Sequence, residues 1–196
     1  MRMRPVDNPF RSVAMDALPY RFVDDSEAAL WSRLEAVRHR GLIVGPMGTG
    51  KTTLCHLLQR GYEARGRPVL RTRLYAGQRQ PPRELLARLR AELTAEHVLI
   101  MDGIEQLSAL GWWRLQRAVP PAAGLVATSH GPGRLPEVYR TRTTPELLET
   151  LTRDLLPASI DLPAGRTAAL FRTHDGNIRE CLRSLYGDFS GRSLSA

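Results

Sequence analysis

The chain predicts an α/β fold, a three-layer sandwich on a mostly parallel five-stranded sheet with a small helical lid after it. Three observations carry that expectation. Short apolar runs alternate with stretches whose leucines recur at helical spacing, the order in which parallel strands and their crossover helices are built. A glycine-rich loop, "GPMGTG" at 45–50, joins the first apolar run to a helix. After the last apolar run come three amphipathic segments with no strand among them. With 196 residues, 42% of them hydrophobic, the chain can bury one substantial core and carry a small appendage.

Residues 1–40 read as an N-terminal segment and helix. "DNPFRSVAMDALPYRF" at 7–22 is irregular, punctuated by Pro9 and Pro19, and "SEAALWSRLEAVRHRG" at 26–41 forms a helix capped by Ser26 and closed by Gly41. The core spans 41–143. "GLIVG" at 41–45 is a buried strand, and Leu54, Leu57 and Leu58 mark a helix that stops between Gly61 and Gly66. "PVLRTRLY" at 68–75 alternates like an edge strand, "PPRELLARLRAEL" at 81–93 is an amphipathic helix, and "HVLIMD" at 97–102 is a buried strand. "AGLVATSH" at 123–130 is a fourth strand and the "VYRTR" stretch a fifth.

The lid covers 144–189. Its first helix has Thr144 as cap and Pro145 in first position. "AGRTAALFRTH" and "NIRECLRSLY" follow, the latter starting at Ile178 because Asn177 and Glu180 have capping-box spacing. The tail 190–196, "SGRSLSA", reads as disordered. The sequence has no internal repeat.

Lys51 is the only lysine among 28 Lys and Arg residues, and it stands at the end of that glycine loop. Gly45, Gly50, Lys51 and Thr52 fill the pattern GxxxxGK[ST], with Pro46, Met47, Gly48 and Thr49 between them. Glycine lets the loop take backbone angles that point successive N–H groups at phosphates, beside the positive end of a helix. A compact ammonium suits that cradle better than a planar guanidinium. The residue set Gly45–Thr53 therefore predicts ATP binding, with the Thr52 hydroxyl on Mg²⁺ and Thr53 beside the α phosphate. Asp102, ending the 97–102 strand, is the second expected metal residue.

A water-activating group is harder to place. Position 103 is glycine, so Glu105 is the nearest acid that can polarise water, although it also reads as a carboxylate that simply suits the start of a helix. Thr128, Ser129 and His130 close the fourth strand, where a side chain can contact the γ phosphate or its water.

From about residue 40 to 187 the chain resembles P-loop NTPases of the AAA+ type, on the loop ending in Lys51 and Thr52, the strand ending in Asp102, and the helical lid. Many such ATPases carry Glu directly after the metal-binding Asp, and here Gly103 departs from that pattern. The segment "DGNIRECLRSLY" is similar to the sensor 2 region of AAA+ lids, which implies that Arg179 reaches over the nucleotide. The resemblance also implies that the N-terminal segment covers the adenine, with Tyr20, Phe22 or Trp31 either on the base or in the core. The expected catalytic set is Lys51, Asp102, Glu105, Ser129 and Arg179.

The implied activity is an ATPase that couples nucleotide state to remodelling or switching of a nucleic-acid or protein partner, with a homo-oligomer compatible with that role. A kinase acting on a small acceptor and a scaffold that does not hydrolyse ATP stay open beside it. The net charge of +8 fits an anionic partner, and equally a coding bias toward arginine spread over the whole surface. No apolar run nears the roughly 18 residues that span a bilayer. The start lacks the apolar stretch of a signal peptide, so a cytoplasmic location is expected. Cys55 and Cys181 have no metal spacing and read as buried free thiols.

Overall fold

Five strands, Arg40–Val44 (β1), Val69–Arg73 (β2), Val98–Asp102 (β3), Gly124–Ser129 (β4) and Glu137–Arg140 (β5), make one sheet in a computed structural model whose described residues are 7–158 and 160–190. The order is β2-β3-β4-β1-β5 and every pairing is parallel. β1, β3 and β4 lie in the interior and are buried almost throughout, which is why they read as unbroken apolar runs. β2 is an edge strand, and its alternating sequence reflects one solvated face.

Two compact units divide the chain. The sheet unit is Asp24–Gly45 with Leu54–Thr141, and the helical unit comprises the described parts of Met1–Val23, Pro46–Thr53 and Arg142–Ala196.

In the sheet unit, Leu42, Val44, Leu99, Met101, Leu125 and Ala127 share a core cluster with Leu86 and Leu89 of Arg83–Glu92 (α4) and Leu115 of Ala109–Ala118 (α5). Leu30, Trp31 and Leu34 of Glu27–Ala36 (α2) and Leu58 and Tyr62 of Lys51–Ala64 (α3) are likewise buried. Trp31 meets Tyr62 edge-on at 4.8 Å and lies under the Arg65 guanidinium, so it serves the core. α2 does not run to Gly41. It ends at Ala36, and the chain turns through Arg38 and His39 in left-handed conformations. Gly41 instead lies inside β1, where a Cβ would come 2.5 Å from Val138 Cγ1 of the neighbouring strand.

The sequence reading contained no helix at Ala109–Ala118. Ser108 caps it by accepting the Gly111 N–H at 3.1 Å.

In the helical unit, Pro145–Leu155 (α6), Arg166–Thr173 (α7) and Ile178–Ser190 (α8) enclose Leu148, Leu151, Leu170, Cys181, Leu182, Leu185 and Phe189. Thr144 accepts the Leu147 N–H at 3.1 Å as the cap of α6, and Asn177 accepts the Glu180 N–H at 3.2 Å at the start of α8. The N-terminal segment is more ordered than its prolines suggest. It contains a short helix, Ser12–Asp16 (α1), and Phe10 stacks on Phe189 at 5.2 Å. Asn8 donates to the Tyr186 carbonyl at 2.9 Å, and Arg21 pairs with Asp154 at 2.7 Å. α8 continues to Ser190; residues 191–196, the rest of the segment read as a disordered tail, lie outside the described residues. Both cysteines are buried thiols, outside any disulfide among the described residues. Among the described residues no helix is long and apolar enough to cross a membrane.

Candidate functional site

The glycine loop leaves the carboxyl end of β1, where the Gly45 N–H donates to the Ser129 carbonyl at 3.1 Å. Gly48 and Gly50 have φ of +74° and +89°, so the loop takes a path that residues with side chains rarely adopt. Thr49 Oγ1 and Lys51 Nζ both donate to the Pro46 carbonyl, at 2.8 and 2.7 Å, and fold the loop on itself. Met47 is exposed, whereas Thr49 and Lys51 are buried. Thr52 and Thr53 lie in the first turn of the 14-residue helix α3, at the positive end of its dipole.

The loop and the lid helices belong to the same unit, and they touch. A Cβ at Gly48 would collide with Oδ1 of Asn177, the residue that caps α8. Tyr20 of the N-terminal segment stands on Gly50, its Cε2 3.2 Å from where a Cβ would be, and meets Phe22 edge-on. Arg179 is exposed in the first turn of α8, two residues beyond Asn177, and has no ion-pair or hydrogen-bond partner among the described residues.

The sheet unit carries the acids. At the end of β3 the Asp102 carboxylate accepts the Thr128 hydroxyl of the adjacent strand β4, and that hydroxyl accepts the Gly103 N–H at 3.0 Å. Thr128 is fully buried, so it orients Asp102 rather than facing solvent. Arg73 at the end of β2, in register with Asp102, has its Nε 3.8 Å from the other carboxylate oxygen. The sequence reading missed Arg73, and only the strand register reveals it.

Gly103 has φ +85°, and a Cβ there would stand 2.9 Å from the Leu74 carbonyl oxygen. A glutamate at this position would be strained and crowded. The nearest acid, Glu105, lies in the 3-10 turn Ile104–Gln106 and brings Oε1 within 3.1 Å of His130 Nδ1. Ser129 is buried and its hydroxyl accepts the Gly131 N–H at 3.2 Å. A cavity of about 270 Å³ is lined by Glu105, Ser129 and Arg134 among others.

Each unit carries residues of the kinds that suit a nucleoside triphosphate with Mg²⁺. In the helical unit the cradle tolerates no Cβ at Gly48 and Lys51 Nζ donates to the Pro46 carbonyl. In the sheet unit the Thr128 hydroxyl and the Asp102 carboxylate that it positions stand at carboxyl ends of parallel strands.

The chain has an α/β fold of the P-loop NTPase kind, shared with solved AAA+ ATPases. It is similar to RuvB, the Holliday junction branch migration motor of Thermotoga maritima, with a TM-score of 0.57 and 20% identity over 82% of this chain and 60% of that one. It is also similar to NtrX from Brucella abortus in complex with ADP, with a TM-score of 0.55 and 12% identity over 90% of this chain and 53% of that one. The chain thus spans about 60% or less of those proteins. No family model and no curated protein matches it.

Proposed function

We propose that the chain binds ATP with Mg²⁺, hydrolyses it, and uses the helical unit to pass the nucleotide state to a partner, either nucleic acid or protein, a role compatible with a homo-oligomer in which neighbouring subunits respond together. The observation that carries this reading is the seat of Asn177 on Gly48. The cap of the last lid helix rests on the loop that would wrap the phosphates, so phosphate arrival and lid position are mechanically coupled.

In this reading Gly45, Pro46, Met47, Gly48, Thr49, Gly50 and Thr53 supply the backbone cradle. Lys51 gives up the Pro46 carbonyl for the β and γ phosphates. Thr52 and Asp102 would hold the metal, with Thr128 fixing the carboxylate. Mg²⁺ there would supply charge neutralisation on the phosphates. Glu105, oriented by His130, takes the proton of the attacking water, and Ser129 lies beside it on β4. Arg179, exposed in the first turn of α8 with no ion pair among the described residues, reads the terminal phosphate.

A second reading, transfer of the phosphoryl group to a small acceptor, is favoured by the cavity beside Glu105, Ser129 and Arg134. The test measures ATP binding and phosphate release by the parent and Lys51→Ala, with and without single-stranded DNA, RNA and candidate acceptors. The proposal expects the variant to lose binding, turnover or both while keeping its circular dichroism spectrum. Equal affinity and turnover in the variant would refute the phosphate-loop assignment, and product found on an acceptor would favour the second reading.

A further inference from the structure

We propose that a groove between α4 and α5, away from the glycine loop in sequence and in a different compact unit, binds a single strand of nucleic acid. Its volume is about 670 Å³, within the range of about 300–1,000 Å³ typical of sites for nucleotide-sized ligands. Four guanidinium groups, those of Arg83, Arg90, Arg114 and Arg117, line it together with Trp113.

Sequence spacing builds this surface. Arg83 and Arg90 stand seven residues apart on one side of α4, and Trp113, Arg114 and Arg117 fall on neighbouring positions of α5. The wall between them is fixed. A Cβ on Gly111 of α5 would collide with the Arg79 carbonyl, which also accepts the Ser108 N–H at 2.9 Å, so the segment before α4 is held tight against α5.

Convergence sets these arginines apart. Some exposed arginines elsewhere pair with a nearby acid, Arg88 with Glu92, Arg140 with Glu137, Arg153 with Glu149 and Arg183 with Glu180, and others such as Arg60 and Arg172 have no ion pair among the described residues but are not among the groove's lining residues. In the groove, none of the four arginines has an ion pair among the described residues, and none of the described lining residues is acidic. Arg114 donates to the neutral Gln80 amide instead. Four cations therefore gather on one groove with no acid among its described lining residues.

Trp113 decides which polyanion fits. It is 53% exposed, an uncommon position for so large an apolar ring, and Arg117 lies 5.0 Å over its face. An unpaired nucleobase can stack on an indole while guanidinium forks take the flanking phosphates bidentately. An acidic peptide would use the arginines and leave the indole idle. This surface differs from a uniformly basic one because removing a neutral ring should matter to it.

The proposal is tested by fluorescence anisotropy of labelled oligothymidylate and oligouridylate of about 15 nucleotides, a length that spans one such binding site, without ATP. Because no nucleotide is added, failure here leaves the ATPase reading untouched, and the converse also holds. Trp113→Ala is expected to weaken binding about tenfold, with Trp113→Phe restoring most of it. Arg114→Ala combined with Arg117→Ala should flatten the slope of log affinity against log salt by about 1.4, two phosphate contacts' worth. A matched control, Arg60→Ala with Arg172→Ala, removes the same charge from exposed positions outside the groove. The proposal is overturned if the control weakens binding as much as the groove pair, if Trp113→Ala binds like the parent while still folded, if neither strand binds, or if polyglutamate binds as tightly as the oligonucleotides. A preference between the two strands would identify DNA or RNA as the source.

Discussion

Glu105 Oε1 and His130 Nδ1 stand 3.1 Å apart, one at the turn after β3 and the other just past β4. The pair joins the nearest acid after Asp102 to the polar end of the neighbouring strand. Glycine at 103 makes this possible, since its left-handed turn swings the chain from β3 toward β4.

If Glu105 is the base, Glu105→Gln should retain ATP binding and slow hydrolysis by about 10²–10⁴-fold. His130→Ala should slow it less, because it removes only an orienting contact. Single-turnover phosphate release beside nucleotide titration separates the two steps. Parent-like turnover in Glu105→Gln would place the water-activating group elsewhere.

Thr128→Val keeps the shape of the side chain and removes the hydroxyl that joins Asp102 to the Gly103 N–H. Leaving those groups without their partner should cost about 1–3 kcal/mol of stability in chemical denaturation. Activity should also require more Mg²⁺, because the carboxylate loses its orientation. A variant with the parent's Mg²⁺ dependence would mean that the other contacts of Asp102, Arg73 among them, hold it well enough.

Arg179 carries a positive charge at the positive end of α8, which costs about 0.3–1 kcal/mol unless an anion compensates. Arg179→Ala should therefore keep or slightly raise the melting temperature without ligand, while the thermal shift on adding ATP falls more than the shift on adding ADP. Loss of stability without ligand, with the preference for ATP intact, would make Arg179 a structural residue.

His39 is partly buried against Tyr62, with its Nδ1 3.1 Å from the hydroxyl. Desolvation lowers its pKa, the nearby Arg67 and Arg65 charges lower it further, and Glu35 opposes them. The unfolded chain, with an ordinary His near 6.5, then binds a proton more readily than the folded one. The stability this group contributes is complete above about pH 6.5 and is lost as the pH falls below it. His39→Asn, which tolerates the φ of 58°, should flatten that acid limb in denaturation measured from about pH 7 to pH 5. An unchanged limb would show that other groups set it.

The loop pattern ending in Lys51 and Thr52, the caps at Ser26, Thr144 and Asn177, the apolar strands β1, β3 and β4 and the edge position of β2 were all legible in the residues, because each is written in spacing within a few turns of chain. α5 was not. Its buried positions include Gly111, small because the Arg79 carbonyl presses on the helix there, and Ala118, so its sequence lacks the leucine stripe that announces the others. The exit from α2 was misplaced for a related reason: Gly41 is glycine because Val138 crowds it from the next strand, not because a helix ends there. The pairs that arm and couple the candidate site, Thr128 with Asp102, Arg73 with Asp102, Glu105 with His130 and Asn177 with Gly48, join residues far apart in the chain. A sequence determines backbone preference and which residues seek burial locally, through sterics and period. Which side chains meet is decided by strand register and packing, and those exist only once the chain has folded.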